Sequence, residues 1–219
     1  MSIFFDPITL IALAVAAFAG FKLWQVLGRG GGIKFSPVTN LVTQKSDLEL
    51  KAVEVAPRII WQGFAEKDSD LAKQLQLIAD KDKEFDTAQF VKQAQQVHEN
   101  VLDAFAQGDL TKLQKMLSKS AYDVFAAEIA SRKDAGQTTV FKFIQLVKSE
   151  IKSAELKNNQ AQIELGFTSE FVSAIKDAKG NVTSGNEKTI ARNDERWTFG
   201  CDLERTPGQW RLTETHDLQ

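Results

Sequence analysis

Two histidines, one cysteine and a scatter of carboxylates are what this chain offers to acid–base, nucleophilic or metal chemistry. His98 follows Val97 in a helical run and sits at the edge of its apolar stripe, so it reads as a boundary residue rather than a catalytic one. His216 lies in the C-terminal tail with no partner at metal-ligand spacing, and two histidines this far apart do not make a metal site. Glu164 and Glu170 share a face, but strand alternation turns that face outward, where a carboxylate pair is solvated surface. On the opposite, inner face from Ala161 to Ile175 the polar residues are Ser169 and Ser173. Cys201 alternates with Trp197, Phe199 and Leu203, which predicts a buried, inert thiol. A single cysteine also excludes an intramolecular disulfide. No Gly-rich phosphate loop occurs at either standard spacing, and Gly30-Gly31-Gly32 reads as a hinge. No catalytic residue, metal or cofactor is expected.

Two weaker constellations point to binding. Phe143, Leu165, Phe167, Phe171, Trp197, Phe199 and Trp210 are either aromatic and aliphatic core filling or the lining of an apolar pocket for a lipid chain or a partner's side chain. Lys112, Lys115 and Lys119 lie near one another on helix surface, with Lys133 close by. They form either a solvated face or a membrane-facing basic patch, where each lysine near anionic lipid contributes about 1 kcal/mol.

These residues need elements to position them. Ser69 predicts an N-cap for a helix from Asp70 to about Ala79, with Leu71, Leu75 and Ile78 inward. Asp86, with Gln89 three residues on, opens a long helix whose face is Phe90, Ala94, Val97, Val101 and Phe105, closed by Gly108. Asp109 caps a short helix bearing Leu110, Leu113 and Leu117. Ser120 begins another, with Tyr122, Phe125, Ala126 and Ile129 inward and Gly136 at its end. Near Val140 the hydrophobic period changes from helix to strand, with a phase slip near Leu146-Val147 that a β-bulge would explain. A second strand spans Ala161 to Ile175, Asp177 to Asn186 form a hairpin loop, and a third strand runs from about Thr189 to Glu204. Thr206-Pro207-Gly208 turns the chain into Trp210-Arg211-Leu212. Helices followed by an antiparallel meander predict an α+β domain, the helices covering the apolar face of a curved sheet to make a cone.

Ahead of this domain, Pro7 to Leu27 is an apolar run without charge up to Phe21. As a helix its 21 residues reach roughly 31 Å, enough to cross a hydrocarbon core. Pro7, Ile8, Leu10, Leu13, Phe18, Phe21, Leu23, Trp24 and Leu27 would carry the anchor, with Trp24 at the interface. Asp6 lies before it; Lys22, Arg29 and Lys34 follow, which places the N-terminus outside and the domain in the cytoplasm. Ala17-Phe18-Ala19 imitates a signal-peptidase site, but the n-region lacks positive charge and the apolar run continues beyond it. The expected organisation is residues 1–6 outside, 7–27 transmembrane, 28–58 linker and 59–219 folded domain. The formal net charge of −2 with 43% hydrophobic residues provides no basic stripe for nucleic acid.

The order of these segments resembles a known family. The run from Lys83 to Ile129, and within it FAQGDLTKL (Phe105 to Leu113) followed by AYDVF (Ala121 to Phe125), is similar to the start of the C-terminal domain of mitochondrial import inner membrane translocase subunit 44. Later matches are ELGFTSEFVSAIKDAKGNV (Glu164 to Val182), ERWTFGCDL (Glu195 to Leu203) and QWRLTET (Gln209 to Thr215). The layout, one short anchor before the domain, is similar to the bacterial Tim-A branch of this Tim-44-like family. The resemblance implies a cone of the nuclear transport factor 2 type. It also implies a single-pass location in the bacterial inner membrane and a non-enzymatic scaffold role near protein translocation or membrane-protein assembly. Other proteins, and anionic lipid such as cardiolipin, are the implied partners. The long charged region with which the mitochondrial protein engages the import motor's chaperone is missing from this sequence, so a motor-tethering role is not carried over. An enzyme or small-ligand carrier using the cone interior is the alternative; it calls for an acid or base on the inward faces, and the assigned faces supply none.

Overall fold

A computed structural model describes residues 59–218. The expected anchor with Pro7, Ile8, Leu10, Leu13, Phe18, Phe21, Leu23, Trp24 and Leu27, and the linker up to residue 58, lie outside the described residues. Among the described residues no helix is long and apolar enough to cross a membrane.

Among the described residues four helices precede four strands: α1 (Asp70–Lys81), α2 (Thr87–Gln107), α3 (Leu110–Met116), α4 (Lys119–Asp134), β1 (Thr138–Lys157), β2 (Gln160–Lys176), β3 (Val182–Asp202) and β4 (Arg211–Asp217). The strands form one antiparallel sheet in the order β1-β2-β3-β4. This is the expected arrangement of helices on an antiparallel meander.

The helix starts follow from local chemistry. Backbone N–H groups in the first turn have no intrahelical acceptor, and a preceding polar side chain supplies one. Ser69 accepts from Ala72 N at 3.1 Å, Asp86 from Gln89 N at 2.9 Å and Asp109 from Lys112 N at 3.0 Å. The last helix departs from expectation. Its cap is Ser118, which accepts from Ala121 N at 3.2 Å, and Ser120 is already inside the first turn. The tertiary structure selects the earlier serine, because Ser118 N donates to Leu212 O at 2.8 Å and so pins the α3–α4 junction to β4. Gly108, at φ 71°, ends α2 in the left-handed region that favours glycine.

The strands are long, and they bend. Register slips between β1 and β2 occur at Phe143/Gln145, Leu146/Lys148 and Ile151/Ser153. One of them is the slip expected near Leu146-Val147, and each adds local twist that lets the sheet follow the helix in front of it. The expected loop from Asp177 to Asn186 is shorter than its composition suggests. Asp177 Oδ1 accepts from Lys179 N and Asn181 N at 2.8 and 2.9 Å, so the turn is complete before β3 starts at Val182. Gly185, at φ 74°, then pairs with Ala174 between two register slips, where a Cβ would meet Ser173 O at 2.3 Å. The Gly, Ser and Asn that resemble a loop are thus inside a strand.

The core joins α1 and α2 to the inner face of the sheet. Leu75, Ile78, Val101, Leu113, Ile163, Leu165 and Leu212 have no exposed surface. Ile60 is buried in this core, and Trp61 and Phe64 pack against it. Along α2 one assignment changes: Val97 is half-buried, and His98 takes the fully buried position.

Replacing Ser118 by Ala removes the α4 cap and should lower unfolding free energy by about 1 kcal/mol, whereas Ser120→Ala should cost less than half as much; urea denaturation of the two variants checks the assignment.

Candidate functional site: a cavity with a carboxylate in its wall

A cavity of about 350 Å³ opens between the C-terminal half of α2, α4 and the strands. Its apolar walls are Leu102 and Phe105 of α2, Phe125 of α4, Phe141 of β1, Phe171 of β2 and Trp197 of β3. Polar side chains enter the same space, among them Arg132 and Glu128 from α4, Asn193 and Glu195 from β3, and His216 from β4.

Glu195 belongs to a network that the inward faces were expected to lack. Its Oε2 accepts from His98 Nε2 at 3.0 Å and from Trp197 Nε1 at 3.1 Å. Its Oε1 accepts from Asn193 Nδ2 at 2.9 Å. His98 is fully buried, and Glu195 retains 16% side-chain exposure. The imidazole ring lies 4.4 Å from the Phe167 centroid and 4.6 Å from that of Trp197. The Glu195 carboxylate accepts, so His98 Nε2 carries a proton, while His98 Nδ1 has no partner in the protein. His98 is therefore no boundary residue, and an acid does sit on the inner face.

The register explains why. Phe199, Trp197, Glu195 and Asn193 stand opposite Ile163, Leu165, Phe167 and Ser169, so all four share the inner face of β3. Extending the Cys201-Phe199-Trp197 alternation two and four residues toward the N-terminus finds both polar groups. On α2 the buried set Val91, Ala94, His98, Val101 and Phe105 is spaced three, four, three, four, the repeat of a helix face. That spacing singles out His98 over Val97.

Arg132 is fixed at the rim. Nη1 donates to Thr139 Oγ1 at 2.7 Å, Nη2 donates to Phe105 O at 2.8 Å, and the guanidinium stacks 4.2 Å from the Phe105 centroid. Burial lowers its pKa from the ordinary value and Glu128 opposes that shift. His216, in the C-terminal tail, lies in β4 opposite Arg196 and lines the cavity, with Nε2 3.5 Å from Glu214 Oε2.

The seven residues offered as a pocket divide. Phe171 and Trp197 line the cavity, and Phe143 packs beside His98 with centroids 6.1 Å apart. Leu165, Phe167 and Phe199 are buried in the core. Trp210 stacks elsewhere, 4.8 Å from the Phe90 centroid and 5.7 Å from that of Phe85. Ser169 is fully buried with no partner for Oγ, and Ser173 reaches the cavity.

The surface lysines are partly compensated: Lys112 is 3.6 Å from Asp109 and Lys119 2.7 Å from Asp123. Lys115 sits on the last turn of α3, where Arg211 Nη1 donates to the Lys115 carbonyl at 2.9 Å. Glu164 and Glu170 face outward as expected, Glu164 3.7 Å from Arg196 and Glu170 accepting from Gln145 at 2.8 Å. Cys201 is 4% exposed, its Sγ donating to Thr206 O at 3.2 Å, and burial pushes the thiol pKa up. Among the described residues no cluster of three metal-ligating side chains occurs.

Removing one partner of a buried charged hydrogen bond leaves the other unsatisfied. His98→Leu and Glu195→Gln should each destabilise the protein by about 2 kcal/mol, and the double variant should show a coupling of roughly 1–2 kcal/mol. Denaturant unfolding of the four members of the cycle measures it.

A family model for the Tim44-like domain matches residues 71–217. Mitochondrial import inner membrane translocase subunit TIM44-1 of Arabidopsis thaliana is 22% identical over 133 residues, which cover 61% of this chain and 28% of that protein. The chain thus spans little more than a quarter of the curated relative's length. Among solved structures, the intermembrane space region of the chloroplast protein ARC6 overlaps 58% of this chain and 95% of its own, at 14% identity and a TM-score of 0.42. A nuclear transport factor 2 (NTF2-like) superfamily protein from Salmonella enterica serovar Typhimurium LT2 overlaps 60% and 92%, at 12% identity and a TM-score of 0.39. Neither overlap bears on function. The family model, by contrast, spans every helix and strand from α1 to β4: the chain belongs to the Tim44-like domain family.

Proposed function

We propose that this protein is a membrane-anchored, non-enzymatic interaction module that docks proteins of a translocation or membrane-protein-assembly apparatus at the cytoplasmic face of a bacterial inner membrane. Membership of the Tim44-like family across residues 71–217 carries this reading. The printed name of the Arabidopsis relative, an import translocase subunit, supports the translocation setting. The apolar run from Pro7 to Leu27 supports the tether, with 28–58 as linker and 59–219 as the presented domain. Beside a bilayer, Lys112, Lys115 and Lys119 would face anionic lipid such as cardiolipin. The ion pairs of Lys112 and Lys119 reduce their free charge, so lipid is the lesser partner and protein the principal one. Nucleic acid is not among the partners.

A second reading is favoured by the cavity, whose size and mainly apolar walls suit a small ligand. It is compatible with the first, because a scaffold can hold a bound molecule.

In-membrane photocrosslinking of the full chain, followed by mass spectrometry of co-purified proteins and lipids, tests the main reading. Translocation or insertion components should crosslink to the domain, and reversing Lys112, Lys115 and Lys119 to Glu should reduce recovered anionic lipid while leaving the proteins. A profile no richer in proteins than that of the anchor alone would contradict it.

A further inference from the structure

We propose that the cavity is a binding site for a small amphipathic amine, whose apolar body lies between Phe105, Phe171 and Trp197 and whose ammonium head meets Glu195. The inference rests on the ligand-holding reading of the cavity and adds the chemistry of the head group.

The volume of about 350 Å³ falls toward the low end of the roughly 300–1,000 Å³ of small-ligand pockets, which combine apolar walls with a few placed polar groups. Glu195 is such a group. A carboxylate accepts about four hydrogen bonds, and three donors occupy it: His98 and Trp197 on Oε2, Asn193 on Oε1. The open acceptor position is therefore on Oε1, and Glu195 is itself part of the cavity wall. The three donors orient the carboxylate. Asn193 and Trp197 are neutral donors, and His98 donates through Nε2.

Carboxylates outnumber guanidinium and ammonium groups in the lining. Glu128, Glu195 and Asp217 bring carboxylates, Arg132 is the one guanidinium, and no lysine lines the cavity. Arg132 Nη1 donates to Thr139 and Nη2 to the Phe105 carbonyl, Nε is buried without a partner in the protein, and its nearest acidic influence is Glu128. A carboxylate kept in an apolar cavity favours a donor that also carries positive charge, since charge-assisted hydrogen bonds are the strong ones. An anionic amphiphile such as a fatty acid would set its head against Glu195 and be repelled.

The test uses the full chain in lipid nanodiscs and three photoprobes of one short alkyl-diazirine skeleton, ending in an amine, an alcohol or a carboxylate. Adducts are mapped by peptide mass spectrometry, so partition into lipid does not enter the readout. The amine should label the peptides containing Phe141 and Phe171 about tenfold more than the carboxylate, the scale of one charge-assisted hydrogen bond, and more than the alcohol. Free butylamine should suppress that labelling. Glu195→Gln should abolish the preference for the amine over the alcohol. If that variant loses its near-ultraviolet circular dichroism, butylamine competition on the unaltered protein decides alone. Equal labelling by all three probes would overturn the head-group assignment and leave an apolar-ligand cavity standing. Absence of cavity adducts from every probe would overturn both. A lysine-bearing peptide that outcompetes butylamine would make the site a protein interface and overturn the small-molecule assignment.

Discussion

A helix as long as α2 can bury a whole stripe against a sheet only if the sheet bends to follow it. Here the bending is built into the sequence as register slips, three between β1 and β2 and others along β3, with Gly185 at a point where any side chain would strike the neighbouring backbone. From that constraint the rest follows. The stripe from Phe90 to Phe105 meets Phe199, Trp197 and Phe167 in turn, through an edge-to-face contact of Phe90 with Phe199 at 5.9 Å and the stacking of His98 on Phe167 and Trp197. Toward the C-terminal end of α2 the two surfaces part, and α4 and the ends of the strands enclose the cavity there.

The seam between tight core and cavity is where the polar network lies. A histidine, a glutamate and a tryptophan N–H inside an apolar core are costly singly and tolerable only as a satisfied set. The set is nearly complete: Glu195 has three donors, and the atoms without protein partners are His98 Nδ1 and, on the adjoining strand, Ser169 Oγ. Hydrophobic residues of similar volume would fill the same space at no polar cost. The network instead holds a carboxylate in the cavity wall, the feature on which the amine proposal rests.

Much of this architecture was legible in the chain. Ser69, Asp86 and Asp109 mark helix starts through one mechanism, an oxygen placed to accept a first-turn N–H, and the strands show in the change of hydrophobic period. The misreadings share a cause as well. A polar residue on an apolar face looks like the end of the pattern, so the inner face of β3 reads as ending at Trp197 and His98 as lying at the rim of its helix. Gly, Ser and Asn look like a loop when they are inside a strand, which hid the first part of β3. Ser118 and Ser120 are equivalent caps by local chemistry, and the bond from Ser118 N to Leu212 O, nearly a hundred positions away, chooses between them. The cavity itself has no local signature, because its lining comes from α2, α4 and all four strands. Family membership was legible because it resides in the order of many weak segments rather than in a catalytic motif.

The central claim is that His98 and Glu195 form a buried hydrogen-bonded couple at the base of the cavity. Long-range ¹H–¹⁵N correlation spectra of the histidine side chains test it most directly. The account predicts a slowly exchanging Nε2–H tautomer for His98, with its Nε2 resonance shifted by Glu195→Gln and its Nδ1 resonance far less so. An Nδ1–H tautomer, or a ring in fast exchange with solvent and indifferent to position 195, would contradict it.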